Sequence, residues 1–238
     1  MLNHRWLMRY LLPLAGLITL GGYGGSWVNH RVAGLVVTGL DLGEYVKFLL
    51  PVRNGQLALW REGFYLPLVT VSLAFSLHAF RARFAYSWLL RALMLAAATV
   101  AALNLLPPAW TPPLLLTPEF RSQTMVMALC LVAVGVSPFL ALLPQSVVSG
   151  FIFGLSGLAL WFPIRNFLRV LPTIRTLYNQ PLQPGWGLYS MAIGLVLLAG
   201  ASIWISLDAR KKQRIYPQIT QIFQLFNLCN LCNLWSSF

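Results

Sequence analysis

Acidic side chains are scarce in this chain. Five Asp and Glu stand among 238 residues, and charged residues of both signs make up 9% of the sequence. A soluble domain carries roughly 25% charged residues, so this chain has too few to solvate a globular surface. No carboxylate falls inside any of its long apolar runs. That argues against a self-contained proton- or sodium-coupled transporter, which commonly uses such a group. Cysteine is also rare. The three present give no disulfide framework, and Cys130, within an apolar run, reads as a small core residue. Cys229 and Cys232 form a CxxC without the two further ligands that a zinc site needs. Polar runs that mix basic and aromatic residues are missing too, which removes nucleic acid from the expected partners.

What the chain has in quantity is apolar sequence, 58% of all residues, with a mean hydropathy of +0.70. A membrane-crossing helix takes about 20 mostly apolar residues. Six runs meet or approach that length, near residues 6–24, 64–80, 86–106, 125–143, 147–164 and 186–207. The expected fold is therefore an all-α integral membrane protein. It is a polytopic bundle of about six transmembrane helices, with short interfacial helices in its outer loops. Residues 1–214 form a single transmembrane domain in this reading, and the first run is an uncleaved helix rather than a signal peptide. Only Pro144, Gln145 and Ser146 separate the fourth and fifth runs, which suggests a tight hairpin.

The formal charge of +12 comes from 17 basic residues, most of them at the ends of apolar runs, where they meet headgroups and set topology. Arg5, Arg9, Arg81, Arg83, Arg91, Arg210, Lys211, Lys212 and Arg214 fall on one side of a six-crossing chain. Arg31, Lys47, Arg53, Arg61, Arg121, Arg165, Arg169 and Arg175 fall on the other. The dense 211–214 cluster and the pair in the short loop near residue 82 place both termini in the cytoplasm of a cell-membrane protein.

Residues 25–63 form the least membrane-like part and hold three of the five acids. Residues 32–38 are rich in β-branched side chains and look extended. From Asp41 onward Leu42, Tyr45, Val46, Leu49 and Leu50 recur at helical spacing, Asp41 and Glu44 have the form of a capping box, and Pro51 ends the turn. This reads as a short amphipathic helix at the interface. Residues 107–118 carry five prolines and should be extended and stiff. Residues 165–185 suggest a second surface-lying helix, interrupted at Pro172. After Arg214 the chain turns into tandem polar-aliphatic-variable triplets, a period of neither helix nor strand, so 215–238 is read as a low-complexity tail.

The segment at 153–157, FGLSG, has the Gly-x-Ser-Gly form of an intramembrane serine nucleophile. That chemistry needs a base within hydrogen-bond reach, and His4, His30 and His78 do not lie in a later helix. Close packing is the better reading, since small residues let helix backbones approach. Gly150 with Gly154, Gly21 with Gly25, and Ser190 with Gly194 are the packing pairs expected. Thr70, Ser72, Ser76 and His78 form a mildly polar strip, extended by Asn104 on the next helix, the only beginning of a solute path.

No catalytic centre and no cofactor are expected. The function expected is an accessory or scaffold subunit of a membrane complex, with the bilayer and other membrane proteins as partners; a permease component or facilitator for a small solute is the alternative. Contact with a partner is assigned to Trp27, Arg31, Asp41, Glu44, Tyr45, Phe48, Arg53, Trp60 and Arg61, because aromatic and Arg side chains dominate interface hot spots.

Overall fold

The computed structural model describes residues 4–29, 36–107 and 111–208. The fold is all-α, with one small β-ribbon among the described residues. Helix α1 (His4–Gly24) leads into β1 (Ser26–Val28), which pairs antiparallel with β2 (Val37–Thr38). Short helices α2 (Gly39–Tyr45) and α3 (Leu50–Arg53) follow, and a 3₁₀ turn at Arg61–Tyr65 feeds α4 (Leu66–His78). Then come α5 (Trp88–Leu103), α6 (Pro112–Leu115), α7 (Arg121–Gly135), α8 (Ser137–Leu140), α9 (Gln145–Tyr178) and α10 (Trp186–Asp208).

Helix α4 is the hub. It packs against α1, α5, α7, α8 and α9, and every residue from Pro67 to His78 is buried. A helix that is apolar all round is stable only when enclosed on all sides, and this sequence, LPLVTVSLAFSLH, has no polar face to offer water. Three of its four polar side chains bond back onto the helix itself. Thr70 Oγ1 donates to Leu66 O at 2.7 Å, Ser76 Oγ donates to Ser72 O at 2.8 Å, and His78 Nδ1 lies 2.9 Å from Ala74 O.

Contacts between α1 and α10 rest on missing side chains. A Cβ on Gly22 would meet the backbone of Met191 and Ser190, one on Gly187 would meet Gly25, and one on Gly194 would meet Thr19 and Ala15. The expected pairs are corrected here. Gly21 has open space where its Cβ would be, so the contact runs through its neighbour Gly22, while Gly25 receives the ring of Trp186. Gly150 and Gly154 also face open space, with nothing among the described residues within 4 Å of where a Cβ would be. Ser190 and Gly194 do lie in the α1–α10 contact.

Residues 165–185 need a second correction. Instead of ending near residue 164 and resuming as a surface helix, α9 runs on for 34 residues through Pro163 and Pro172. At 1.5 Å per residue it is about 51 Å long. Its second half is amphipathic, with Phe167, Val170, Leu171 and Ile174 buried and Arg165, Arg169 and Arg175 exposed.

The outward faces of the long helices are apolar. Leu14 and Leu17 on α1, Leu93 and Val100 on α5, Leu129 and Val132 on α7, Trp161 on α9, and Ile193 and Val196 on α10 are all exposed. Helices α9 and α10 are each long and apolar enough to cross a membrane.

Candidate functional site

Residues 25–29 and 36–63 and the start of α7 close one end of the bundle. The ribbon is fixed by the chain just before α10: Gly185 N donates to Trp27 O at 2.7 Å, and Val28 bridges to Pro184. Trp27 then drops into the core. Its ring packs edge-on to Tyr23 and Phe167, at centroid distances of 6.0 and 5.9 Å, and tilts against Phe64. Its Nε1 donates to Gly22 O at 3.2 Å. Gly39 allows this approach, since a Cβ there would sit 2.8 Å from the indole.

Helix α2 starts with a capping box, but not the one expected. Thr38 is the N-cap, its Oγ1 accepts from Asp41 N, and Asp41 Oδ2 accepts from Thr38 N at 2.9 Å. Glu44 is free of the box and does other work. It accepts from Tyr65 OH at 2.9 Å and pairs with Lys47 at 2.8 Å. Pro51 is likewise not a stop, since it lies in the first turn of α3. Leu42, Val46 and Leu49 are buried as the spacing implies, but Leu50 is exposed.

Lys47 and Arg61 converge on Glu119, a residue the sequence reading did not single out. Lys47 Nζ lies 3.2 Å and Arg61 Nη1 3.0 Å from its Oε1, while Arg61 Nη2 donates to its carbonyl at 2.9 Å. Both cations also sit over the Phe120 ring, at 5.1 and 5.4 Å. Glu62 completes the group, 3.7 Å from Arg61. Slight burial pushes the Glu119 carboxyl up, but the hydrogen bonds and charges of Lys47 and Arg61 outweigh it and hold it below the usual carboxylate range. Burial likewise opposes the charge on Lys47, and Glu44 and Glu119 override it and raise its ammonium.

The partner-contact residues therefore divide. Trp27 is wholly buried, a correction to its assignment: it is a core anchor whose ring no partner can reach. Arg61 and Glu44 are engaged inside the chain. Tyr45 is half-buried and Asp41 is exposed but occupied with the cap. Phe48, 70% exposed, Trp60, 46% exposed, and Arg53 face outward. Trp60 is held from behind by Phe162, edge-on at 4.7 Å, and its carbonyl accepts from Asn166 Nδ2 at 2.8 Å. Phe48 borders a groove of about 450 Å³ with Tyr45, Pro51, Thr173 and Leu177. Arg31 and His30 lie outside the described residues, as do Arg210, Lys211, Lys212, Arg214, Cys229, Cys232 and the whole 215–238 tail.

The groups of the polar strip bond within their own helices, apart from Ser72, whose buried hydroxyl has no hydrogen-bond partner. Thr70, Ser76 and His78 are engaged on their own helix, and Asn104 Nδ2 donates to Val100 O at 2.8 Å. The Ser156 hydroxyl is buried without a hydrogen-bond partner. Among the described residues no group of three His, Cys, Asp or Glu could hold a metal ion. No known family model matches this chain, and no curated protein or solved structure does either.

Proposed function

We propose that this chain is a multi-pass membrane protein that serves as an accessory or scaffold subunit, engaging a partner through the surface built from residues 25–63. The observation that carries this reading is the internal pairing of that segment. Lys47, Arg61, Glu44 and Glu62 of the segment and Glu119 from the stretch before α7 hold one another, so residues 44–62 form a preformed platform rather than a loose loop. On it stand Phe48, Arg53 and Trp60, side chains of the types that dominate interface hot spots, beside an apolar groove. Fixing such groups before binding lowers the ordering cost of association. Membrane residence is supported by the apolar outward faces of α1, α5, α7, α9 and α10, since exposed apolar patches beyond a few hundred Å² are rare on soluble monomers.

A rival explanation is that Phe48 and Trp60 merely anchor the segment among headgroups, as aromatic residues do at interfaces. Extraction in mild detergent followed by capture of the tagged chain separates the two. A Phe48→Ser, Arg53→Glu double variant should stay in the membrane fraction, keep its fold and lose the specific copurifying protein. If that protein is retained in full, the platform is an anchor and the subunit reading fails.

A further inference from the structure

Each of the five acids in this chain already has a partner. Asp41 is held in the cap of α2, Glu44 pairs with Lys47, Glu62 and Glu119 pair with Arg61, and Asp208 pairs with Arg83. Arg165 and Arg169 on α9 are left without one. Both are exposed, and neither side chain forms an ion pair or hydrogen bond among the described residues. No further acidic side chain exists in the sequence, so any fixed counter-charge for this pair comes from outside the chain.

Their position along α9 points to its source. The helix starts at Gln145, whose Oε1 accepts from Arg81 at 2.6 Å just beyond the end of α4. Arg165 follows 20 positions later, about 30 Å at helical rise, which is the thickness of a bilayer's hydrocarbon core. No charged residue stands between them. Arg169 is one turn farther, about 6 Å, within the headgroup layer. Phe162 and Asn166 hold Trp60, which puts this part of α9 at the level of the 44–62 platform.

Four residues apart, the two guanidiniums share one side of the helix and can both donate to a single phosphate, whose oxygens suit the planar Arg fork. Toward the start of α9 the same side turns apolar. Trp161, exposed, lies one turn before Arg165, and an indole favours the membrane–water interface. Leu158 is exposed beside it. Gly154 and Gly157 have nothing within 4 Å of where a Cβ would be. Positions 154, 157, 158, 161 and 165 follow the helical repeat and so form one strip, with room for a hydrocarbon chain below a cationic end.

We infer that this face of α9 binds an anionic phospholipid, with Arg165 and Arg169 on its phosphate and one acyl chain along Gly154, Gly157, Leu158 and Trp161. Two unmatched guanidiniums favour a headgroup of net negative charge over a zwitterionic one, whose own cation offsets its phosphate. The inference rests on the membrane reading above, and its test keeps the two separate.

The chain, purified in mild detergent, is mixed with equal parts phosphatidylglycerol and phosphatidylcholine of matched chains, and retained lipid is counted by native mass spectrometry. Phosphatidylglycerol should be favoured about tenfold, the scale of one charge-assisted hydrogen bond. Arg165→Gln with Arg169→Gln, both exposed and unbonded, should remove at least half of that preference. Arg53→Gln with Arg121→Gln takes the same charge from exposed positions at the same end and should leave it unchanged. Gly154→Phe, which enters open space, should lower retention of both lipids. Equal retention of the two lipids, an equal loss in both double variants, or full retention in Gly154→Phe overturns the site alone. So does an Arg165, Arg169 double variant that keeps the lipid preference and loses a copurifying protein, which gives the pair an acidic protein partner instead. A chain recovered in the aqueous fraction without detergent overturns the membrane reading and the site with it.

Discussion

At the scale of single residues, charge and burial act differently at this end of the molecule. Trp27 contributes through area and shape: it is wholly buried among Tyr23, Phe64 and Phe167. Truncation of a buried Trp costs about 3–5 kcal/mol, so Trp27→Ala should lower the unfolding midpoint in detergent far more than Phe48→Ala at the exposed rim. The cap is a smaller effect. Asp41→Ala leaves Thr38 N without its acceptor and should cost about 1 kcal/mol, readable in the same assay. The Glu119 cluster is smaller still, since exposed ion pairs are worth about 0–1 kcal/mol, but it has a pH signature. Glu119 is held below its ordinary value, so its contribution is complete above an unfolded pKa of about 4.3 and is lost as pH falls through the lower folded value. Lys47 is raised, so its contribution is complete below an unfolded value of about 10.4 and is lost as pH rises through the higher folded value. Protection of residues 39–62 from protease should therefore be flat between these limits and fall at both ends. Glu119→Gln should weaken protection on the plateau and flatten the acid limb. An acid limb unchanged in that variant would show that other carboxylates control it.

At the scale of elements, the helical runs were legible in the sequence because they depend on local composition alone. Their junctions and contact faces were not. The α1–α10 contact uses Gly22, one residue away from the Gly21 that a spacing rule selects, because spacing does not say which side of a helix faces inward. A matched set tests this: Gly22→Ala must push into the Met191 backbone, whereas Gly21→Ala and Gly150→Ala enter open space. Overpacking a tight contact costs about 1–3 kcal/mol, so the first should destabilise by that amount and the other two by less than about 0.5 kcal/mol. Equal effects at Gly21 and Gly22 would place the contact elsewhere. Pro163 and Pro172 misled the reading of α9 for a related reason. A proline removes one backbone donor and crowds the preceding turn, yet Pro163 is buried among neighbours that can hold a helix together across such a defect. The cap was misplaced because Thr38-x-x-Asp41 and Asp41-x-x-Glu44 both satisfy the pattern. Only the backbone conformation chose the first. Glu119 could not have been found from its own surroundings, since it lies in a proline-rich stretch 72 residues from Lys47 and 58 from Arg61.

At the scale of the whole molecule, the arrangement of helix ends bears on topology. Arg9 near the start of α1 donates to Ala85 O, Arg83 pairs with Asp208 at the close of α10, and Arg81 joins the end of α4 to Gln145 at the start of α9. The start of α1 and the end of α10 thus lie together, as an even number of crossings would require. At the opposite end Lys47 and Arg61 are bound to acids, but neutralised cations still count in the orientation rule, which weighs Lys and Arg and gives Asp and Glu little influence. In a six-crossing chain the direction would be set by where the basic residues are dense, the short Arg81–Arg83 loop with the 210–214 cluster against the scattered arginines of the far side. Reporter fusions after Arg83 and after Arg214 should read cytoplasmic, and one after Arg53 external. Because a fusion truncates the chain, single cysteines at Ala82 and Asn54 in a background lacking Cys130, Cys229 and Cys232 provide a second readout in the full-length protein. The thiol of Asn54→Cys should react with an impermeant maleimide in intact cells, and that of Ala82→Cys only after lysis. Reaction of both before lysis, or an external reading after Arg214, would replace the proposed six-crossing bundle with an odd number of crossings and move the proposed partner of the 25–63 segment to a different compartment.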